Sequence, residues 1–123
     1  MLTVLLVDYP LAVRRALRAR LSLEPDLAII GEADDAPQAI SLARSLVPNV
    51  VLLDAETPDL DASRLVQAMT GGDRCPAIVV LSQHAAAMRS GLNGTPAMVV
   101  GKHEGLAALV GAIRTAARHP RCS

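Results

Sequence analysis

Aromatic residues are almost missing: the chain has no Trp, no Phe and a single tyrosine, Tyr9. That excludes the nucleic-acid modules that stack bases on aromatic rings, and it leaves the core to Leu, Val, Ile, Ala and Met. An excess of charge of either sign is missing too. Lys and Arg number 12 and Asp and Glu number 12, so neither a broad basic field for nucleic acid nor an acidic tail is indicated. The two cysteines, Cys75 and Cys122, are too few and too irregularly placed for a disulfide framework or a zinc site. Two free thiols in a reducing cytoplasm are expected. No apolar run approaches the ~18 residues of a membrane span, and Met1-Leu2-Thr3 leads straight into a strand-like run without room for a signal peptide. The expectation is a cytoplasmic protein that does not touch a membrane. Its 123 residues suit one domain that buries about two-thirds of its unfolded surface.

What is present is organised around Val50-Val51-Leu52-Leu53-Asp54. A continuous Val/Leu run bounded by Pro48-Asn49 and Pro58 reads as a strand buried on both faces. A charge cannot sit inside such a strand, so Asp54 must emerge at its carboxyl end. In open α/β sheets that edge is where ligands bind.

Similar runs recur along the chain. Thr3 to Val7 is a strand closing on Asp8-Tyr9-Pro10. A helix follows, with Val13, Ala16, Leu17 and Leu21 on the inner face and Arg14, Arg15 and Arg18 opposite, a solvated stripe or a docking surface. Leu27 to Gly31 is a strand, and Asp34 or Asp35 caps a helix with Pro37 in its first turn. Ala36, Ala39, Ile40, Ala43, Leu46 and Val47 form its core face. Asp59 and Asp61 offer caps for a short helix carrying Leu65, Val66 and Met69, ended by Gly71-Gly72-Asp73. Ala77 to Ser82 is a strand, residues 83–96 hold a short, loosely held helix, and Ala97 to Gly101 is the fifth strand. The last helix turns Leu106, Leu109, Val110, Ile113 and Ala117 inward. Five alternations of strand and helix with short links predict a parallel sheet with helices on both faces. The domain is expected over residues 1–118, with 119–123 as a tail or the start of a linker.

All strands of a parallel sheet end on one side. Asp8, Asp54, Ser82 and Lys102, each just at or past a strand end, are therefore expected to converge. Two carboxylates can hold an oxygen-seeking divalent ion such as Mg²⁺. Lys102 and Ser82 can grip phosphoryl oxygens, and Asp54 can act as nucleophile to form an aspartyl-phosphate.

On these residues the chain resembles a response-regulator receiver domain, CheY-like, over about residues 2–118, most of all the NarL/FixJ-type receivers. The resemblance rests on Val4-Leu5-Leu6-Val7-Asp8, Val13-Arg14, Leu17, Glu24-Pro25-Asp26 and Gly31-Glu32-Ala33. It extends through Pro48 to Asp54, Pro58, Ser82 and Lys102. It implies a (βα)5 flavodoxin-like fold with strand order 2-1-3-4-5, Asp54 as phosphoacceptor, and Asp8, Asp54 and the Glu56 carbonyl as Mg²⁺ ligands. It also implies that Ser82 and Lys102 couple phosphorylation to a shift of the face built from the fourth helix, fifth strand and fifth helix. Glu56 and His84 would flank the phosphoryl group and tune its hydrolysis. The partners implied are a sensor histidine kinase and a second copy docked through a helical face. DNA would be met only through an effector domain that is not in this chain.

Three positions depart from the family pattern. Counting without a gap, the family's second acid falls on Tyr9, whose phenol is neutral at pH 7 and a poor Mg²⁺ ligand. A loss of about tenfold or more in metal affinity is expected; the Glu56 side chain is a candidate substitute. Tyr9 itself either packs the first loop or occupies the metal position and hydrogen-bonds Asp54. Val99 stands where the family often has a rotating Tyr or Phe, and Ala62 where it commonly has Gly. Each site residue also has a plainer reading: Asp8 and Ser82 as helix N-caps, Lys102 as a solvated strand-end lysine, and Asp54 as a vestigial acid.

Two functions follow. One is a non-enzymatic receiver that accepts a phosphoryl group on Asp54 and regulates a transcriptional output. The alternative is a phosphate-independent interaction module (a pseudo-receiver) with a degenerate metal site. A phosphohydrolase with an Asp nucleophile would want a second acid two residues after Asp8, where Pro10 stands, and no Gly-rich phosphate loop follows a strand.

Overall fold

The computed structural model describes residues 1–7, 10–70 and 75–118. Its elements alternate: β1 (Leu2–Val7), α1 (Leu11–Leu21), β2 (Leu27–Ala33), α2 (Ala36–Leu46), β3 (Val50–Asp54), α3 (Ala62–Thr70), β4 (Ala77–Ser82), α4 (Ala85–Gly91), β5 (Met98–Gly101) and α5 (Leu106–Arg118), with a 3₁₀ turn at Lys102–Glu104 between the last two. The five strands form one sheet in the order β2-β1-β3-β4-β5, every pair parallel. This is the expected flavodoxin-like arrangement. The tail proposed at 119–123 and the helix stop at Gly71-Gly72-Asp73 lie outside the described residues.

Strand alternation explains why helices coat both faces. Side chains of a strand point to opposite sides with period two. Leu5, Val7, Val51, Leu53, Ile78, Val80 and Val99 face one way and pack against Ala39 of α2, Leu65, Val66 and Met69 of α3, and Ala85 of α4. Val4, Leu6, Val50, Leu52, Val79, Leu81 and Val100 face the other way, onto Leu21 of α1 and Leu109, Val110 and Ile113 of α5. Every residue of β3 is buried, which its unbroken apolar run required.

Capping follows the local sequence. Asp35 caps α2 by accepting the Gln38 N–H at 2.8 Å, and Asp61 accepts the Arg64 N–H at 3.1 Å. Gly31 is needed for close approach: a Cβ there would lie 2.8 Å from Leu46 Cδ1 and 3.1 Å from Leu5 Cδ1. The outer edge of β5 is closed by side chains. Arg89 Nη2 donates to the Val99 carbonyl at 3.1 Å, Glu104 Oε2 accepts the Gly101 N–H at 2.6 Å, and these two side chains pair at 3.7 Å.

Several expectations need correcting. On α1 only Leu21 is buried; Leu17 is half-buried, Ala16 is exposed and Val13 is 47% exposed. The helix is oriented by ion pairs that hydrophobic spacing does not register. Arg14 Nε sits 3.1 Å from Glu32 Oε1 on β2 and Arg18 pairs with the other oxygen, so Arg14 is not part of a solvated stripe. The first-helix N-cap is Pro10, without a side-chain cap. At the end of α2, Leu46 and Val47 are exposed, because Val47 turns into the left-handed region (φ 47°) to stop the helix. Finally, Cys75 is disulfide-bonded, contrary to the free thiol expected, and its partner lies outside the described residues. Thr115 and Ala116 line a cavity with Pro76 and Ala77, so the last turns of α5 return to the segment leading into β4. Among the described residues no helix is long and apolar enough to cross a membrane.

Candidate functional site

Register brings the strand ends level. Asp54 pairs with Leu81, and Ser82 with Gly101, so Asp54, Ser82 and Lys102 crowd one corner of the carboxyl edge. Asp54 is 4% exposed, and both its carboxylate oxygens are engaged. Oδ2 lies 2.9 Å from Lys102 Nζ, and Oδ1 accepts the Glu56 N–H at 2.8 Å. The loop that follows is latched by Thr57, a buried residue whose hydroxyl donates to the Asp54 carbonyl at 2.8 Å, while the Ala55 N–H reaches the Leu81 carbonyl at 2.9 Å.

That latched loop aims Glu56 across the site. Its Oε2 accepts from Ser82 Oγ at 3.1 Å. Its Oε1 accepts the Gln83 N–H at 2.7 Å and lies 3.3 Å from Lys102 Nζ. Ser82 is fully buried, and its Oγ also accepts the His84 N–H at 2.9 Å. Ser82 is not the N-cap of α4; His84 is, without a side-chain hydrogen bond. Burial pulls the Lys102 ammonium toward losing its proton, but hydrogen bonds and charge from Asp54 and Glu56 outweigh it and hold the pKa above the ordinary lysine value. One ammonium thus sits between two carboxylates in a partly dry corner, where Coulomb attraction exceeds that in water.

Asp54, Ser82, Lys102 and Glu56 therefore come together as expected, though Glu56 enters through its side chain as well as its backbone. Asp8 and Tyr9 lie outside the described residues. Two contributors were missed in the sequence: Thr57, whose latch a hydroxyl three residues after the acid could have signalled, and the Gln83 backbone N–H, which no residue type announces. As for Mg²⁺, no group of three His, Cys, Asp or Glu among the described residues could hold a metal. Asp54 Oδ2 faces an ammonium and Oδ1 a backbone N–H, so the described donors by themselves do not fit a preformed Mg²⁺ site.

An anion cradle of hydroxyl, backbone N–H and lysine beside a buried aspartate, at the carboxyl edge of a 2-1-3-4-5 parallel sheet, defines a receiver-type signalling domain. Comparison with known proteins agrees. The model of the response regulator receiver domain matches residues 4–114, and the chain belongs to that family. It is 32% identical over 80 residues to the nitrate/nitrite response regulator protein NarL of Escherichia coli, covering 65% of this chain and 37% of that protein. It is 35% identical over 82 residues to the transcriptional regulatory protein LiaR of Bacillus subtilis, covering 67% and 39%. It is 37% identical over 82 residues to protein-glutamate methylesterase/protein-glutamine glutaminase 1 of Methanospirillum hungatei, covering 67% and 24%. The chain thus spans less than two-fifths of the length of these relatives. Among solved structures, a two-component response regulator of the LuxR family from Aurantimonas superposes with a TM-score of 0.83 at 26% identity, over 96% of this chain and 86% of that one. The response regulator domain of Thermotoga maritima CheB superposes at 0.80 and 22% identity, over 97% and 98%, which speaks to the fold alone.

Proposed function

We propose that this chain is the phosphoryl-accepting receiver of a two-component system, modified on Asp54 by a sensor histidine kinase and controlling a transcriptional output through an effector. The observation that carries this reading is the 2.9 Å contact between Lys102 Nζ and Asp54 Oδ2, with a buried hydroxyl on the adjoining strand end. In the transfer, an Asp54 carboxylate oxygen attacks phosphorus and the P–N bond to the donor imidazole breaks. The imidazole nitrogen keeps the electron pair and takes a proton from water. Lys102 offsets the growing charge on the phosphoryl oxygens, and Ser82 and the Gln83 N–H donate to them. The chain is consumed and regenerated by hydrolysis rather than acting on a separate substrate, so we do not class it as an enzyme.

A cleft of about 410 Å³ between α1 and α5 supports a helical donor. Val13, Ala16, Leu17, Leu106 and Leu109 line it, and it opens onto Asp54 and Lys102. That is the approach a phosphohistidine carried on a helix needs. The output face we assign to α4, β5 and α5, where a second copy or an effector would dock. Because Val99 lacks a ring, coupling would run through the Ser82–Gln83–His84 backbone.

A second reading is a phosphate-independent interaction module, favoured by the absence of an acid at position 9 and by the Glu56 carboxylate already engaging the cradle. The discriminating experiment is exposure to acetyl phosphate at millimolar Mg²⁺, followed by intact mass. One phosphoryl group that disappears in Asp54→Asn is the expected result. No adduct on the unmodified protein at any Mg²⁺ concentration selects the second reading.

A further inference from the structure

We propose that Glu56 is a built-in occupant of the phosphoryl seat, holding Ser82, Gln83 and Lys102 in their anion-bound arrangement before any modification and competing with it. The inference rests on the reading of Asp54 as phosphoacceptor, and it adds a regulatory device within the same site.

The geometry carries it. A phosphoryl group on Asp54 would offer three acceptor oxygens at the strand ends. The described donors able to receive them are the Ser82 hydroxyl, the Gln83 N–H and the Lys102 ammonium. All three already contact one carboxylate, at 3.1 Å from Oε2 and at 2.7 and 3.3 Å from Oε1, Lys102 sharing its ammonium with Asp54 Oδ2 at 2.9 Å. The carboxylate is also pre-aimed. Its own N–H is fixed on Asp54 Oδ1 at 2.8 Å and the next residue is latched to the Asp54 carbonyl, so little chain freedom is lost in reaching across. Seat and occupant match in charge as well. One ammonium faces two carboxylates, and a doubly negative phosphoryl beside Glu56 would leave that single cation against far more negative charge. Glu56 must swing out for Asp54 to be modified, and its side chain, 30% exposed, has solvent to swing into.

The consequence for α4 is direct. That helix spans seven residues and has no side-chain cap; its leading segment is tied by the Gln83 N–H to Glu56 and by the His84 N–H to Ser82 Oγ. With the seat filled from within, this segment is held as a bound anion would hold it.

The test compares the unmodified protein with Glu56→Ala and Glu56→Gln, each first confirmed as folded by thermal melting. In protein never exposed to a phosphoryl donor or metal, the Gln83 amide and those of α4 should exchange with solvent about tenfold faster in Glu56→Ala, the size expected for one lost charge-assisted hydrogen bond. Glu56→Gln keeps an oxygen for Gln83 and should exchange more slowly than the alanine variant. With acetyl phosphate and millimolar Mg²⁺, both variants should be phosphorylated on Asp54 on the order of tenfold faster than the parent. Unchanged Gln83 exchange, or equal phosphorylation rates, overturns the occupant while leaving Asp54 as acceptor. If none of the three proteins is modified, the acceptor reading fails instead, and the exchange measurement alone decides whether Glu56 fills the seat.

Discussion

Lys102 is the residue on which the site's electrostatics turn. It is the described cation lying between the buried Asp54 and the half-buried Glu56, and removing it leaves the two carboxylates with neutral hydrogen-bond donors alone. Lys102→Ala is expected to lower unfolding free energy by about 1–3 kcal/mol, measured by urea titration at neutral pH. The pH dependence has a definite sign. Because the folded-state pKa of Lys102 is raised, its contribution is complete below the unfolded value of ~10.4 and is lost as pH climbs through the folded one. The parent protein should therefore lose stability more steeply at alkaline pH than Lys102→Ala does. Where the family resemblance sets a second acid against Tyr9, Tyr9→Asp should raise Mg²⁺ affinity about tenfold or more, read by titration against amide shifts. An unchanged affinity would remove Tyr9 from the metal position.

The residues of the site were largely legible in the sequence because strand ends announce themselves: an apolar run that stops on a polar side chain marks the carboxyl edge. Asp54, Ser82 and Lys102 each sit at such a stop. What could not be read was the direction of Glu56. Its role depends on the Thr57 latch and on the level at which β4 ends, both products of three-dimensional register rather than of spacing along the chain.

Among the elements, α1 separates hydrophobic pattern from actual burial. Its spacing puts Val13 and Leu21 on one face, yet Val13 is 47% exposed and Leu21 fully buried, since Arg14 and Arg18 fasten the helix to Glu32 at the β2 end. Leu21→Ala is expected to cost about 2–5 kcal/mol, whereas Val13→Ser should stay within about 0.5 kcal/mol, both by denaturant unfolding. If Val13 instead governs phosphotransfer from a kinase while sparing stability, its exposure serves docking. A second polar fastening joins α5 to the start of β2: Arg114 reaches Asp26 with both a 2.8 Å Nε contact and a 2.8 Å Nη2 contact, and Glu24 at 3.1 Å. The Arg114 hydrogen bonds hold the Asp26 carboxyl below its ordinary pKa. Its contribution is thus present above the unfolded carboxylate pKa near ~3.9 and is lost as pH falls through the folded value. Asp26→Asn should lower stability at neutral pH and flatten the acid limb of the stability curve, read by denaturant unfolding at a series of pH values.

Across the whole molecule, the strand order and the two-sided helical coat follow from five apolar runs and the handedness of their crossovers. The sequence pattern reached that far because the strand runs and their alternation with helices agreed with the global layout, even where the burial of single helix residues did not. It did not reach the bonded state of Cys75, because two cysteines without a disulfide-framework spacing carry no signal of bonding.

The stopper on β5 sets how copies of such a domain can meet. An open sheet flank ordinarily offers a rail of unpaired amides and carbonyls on which a foreign strand can zip. Here Arg89 and Glu104 sit astride that rail, on the Val99 carbonyl and the Gly101 amide. Growth of the sheet from one molecule into the next on that flank is thereby closed, and traffic between molecules there is left to side chains on helices, whose contacts can be made and released without unzipping a strand.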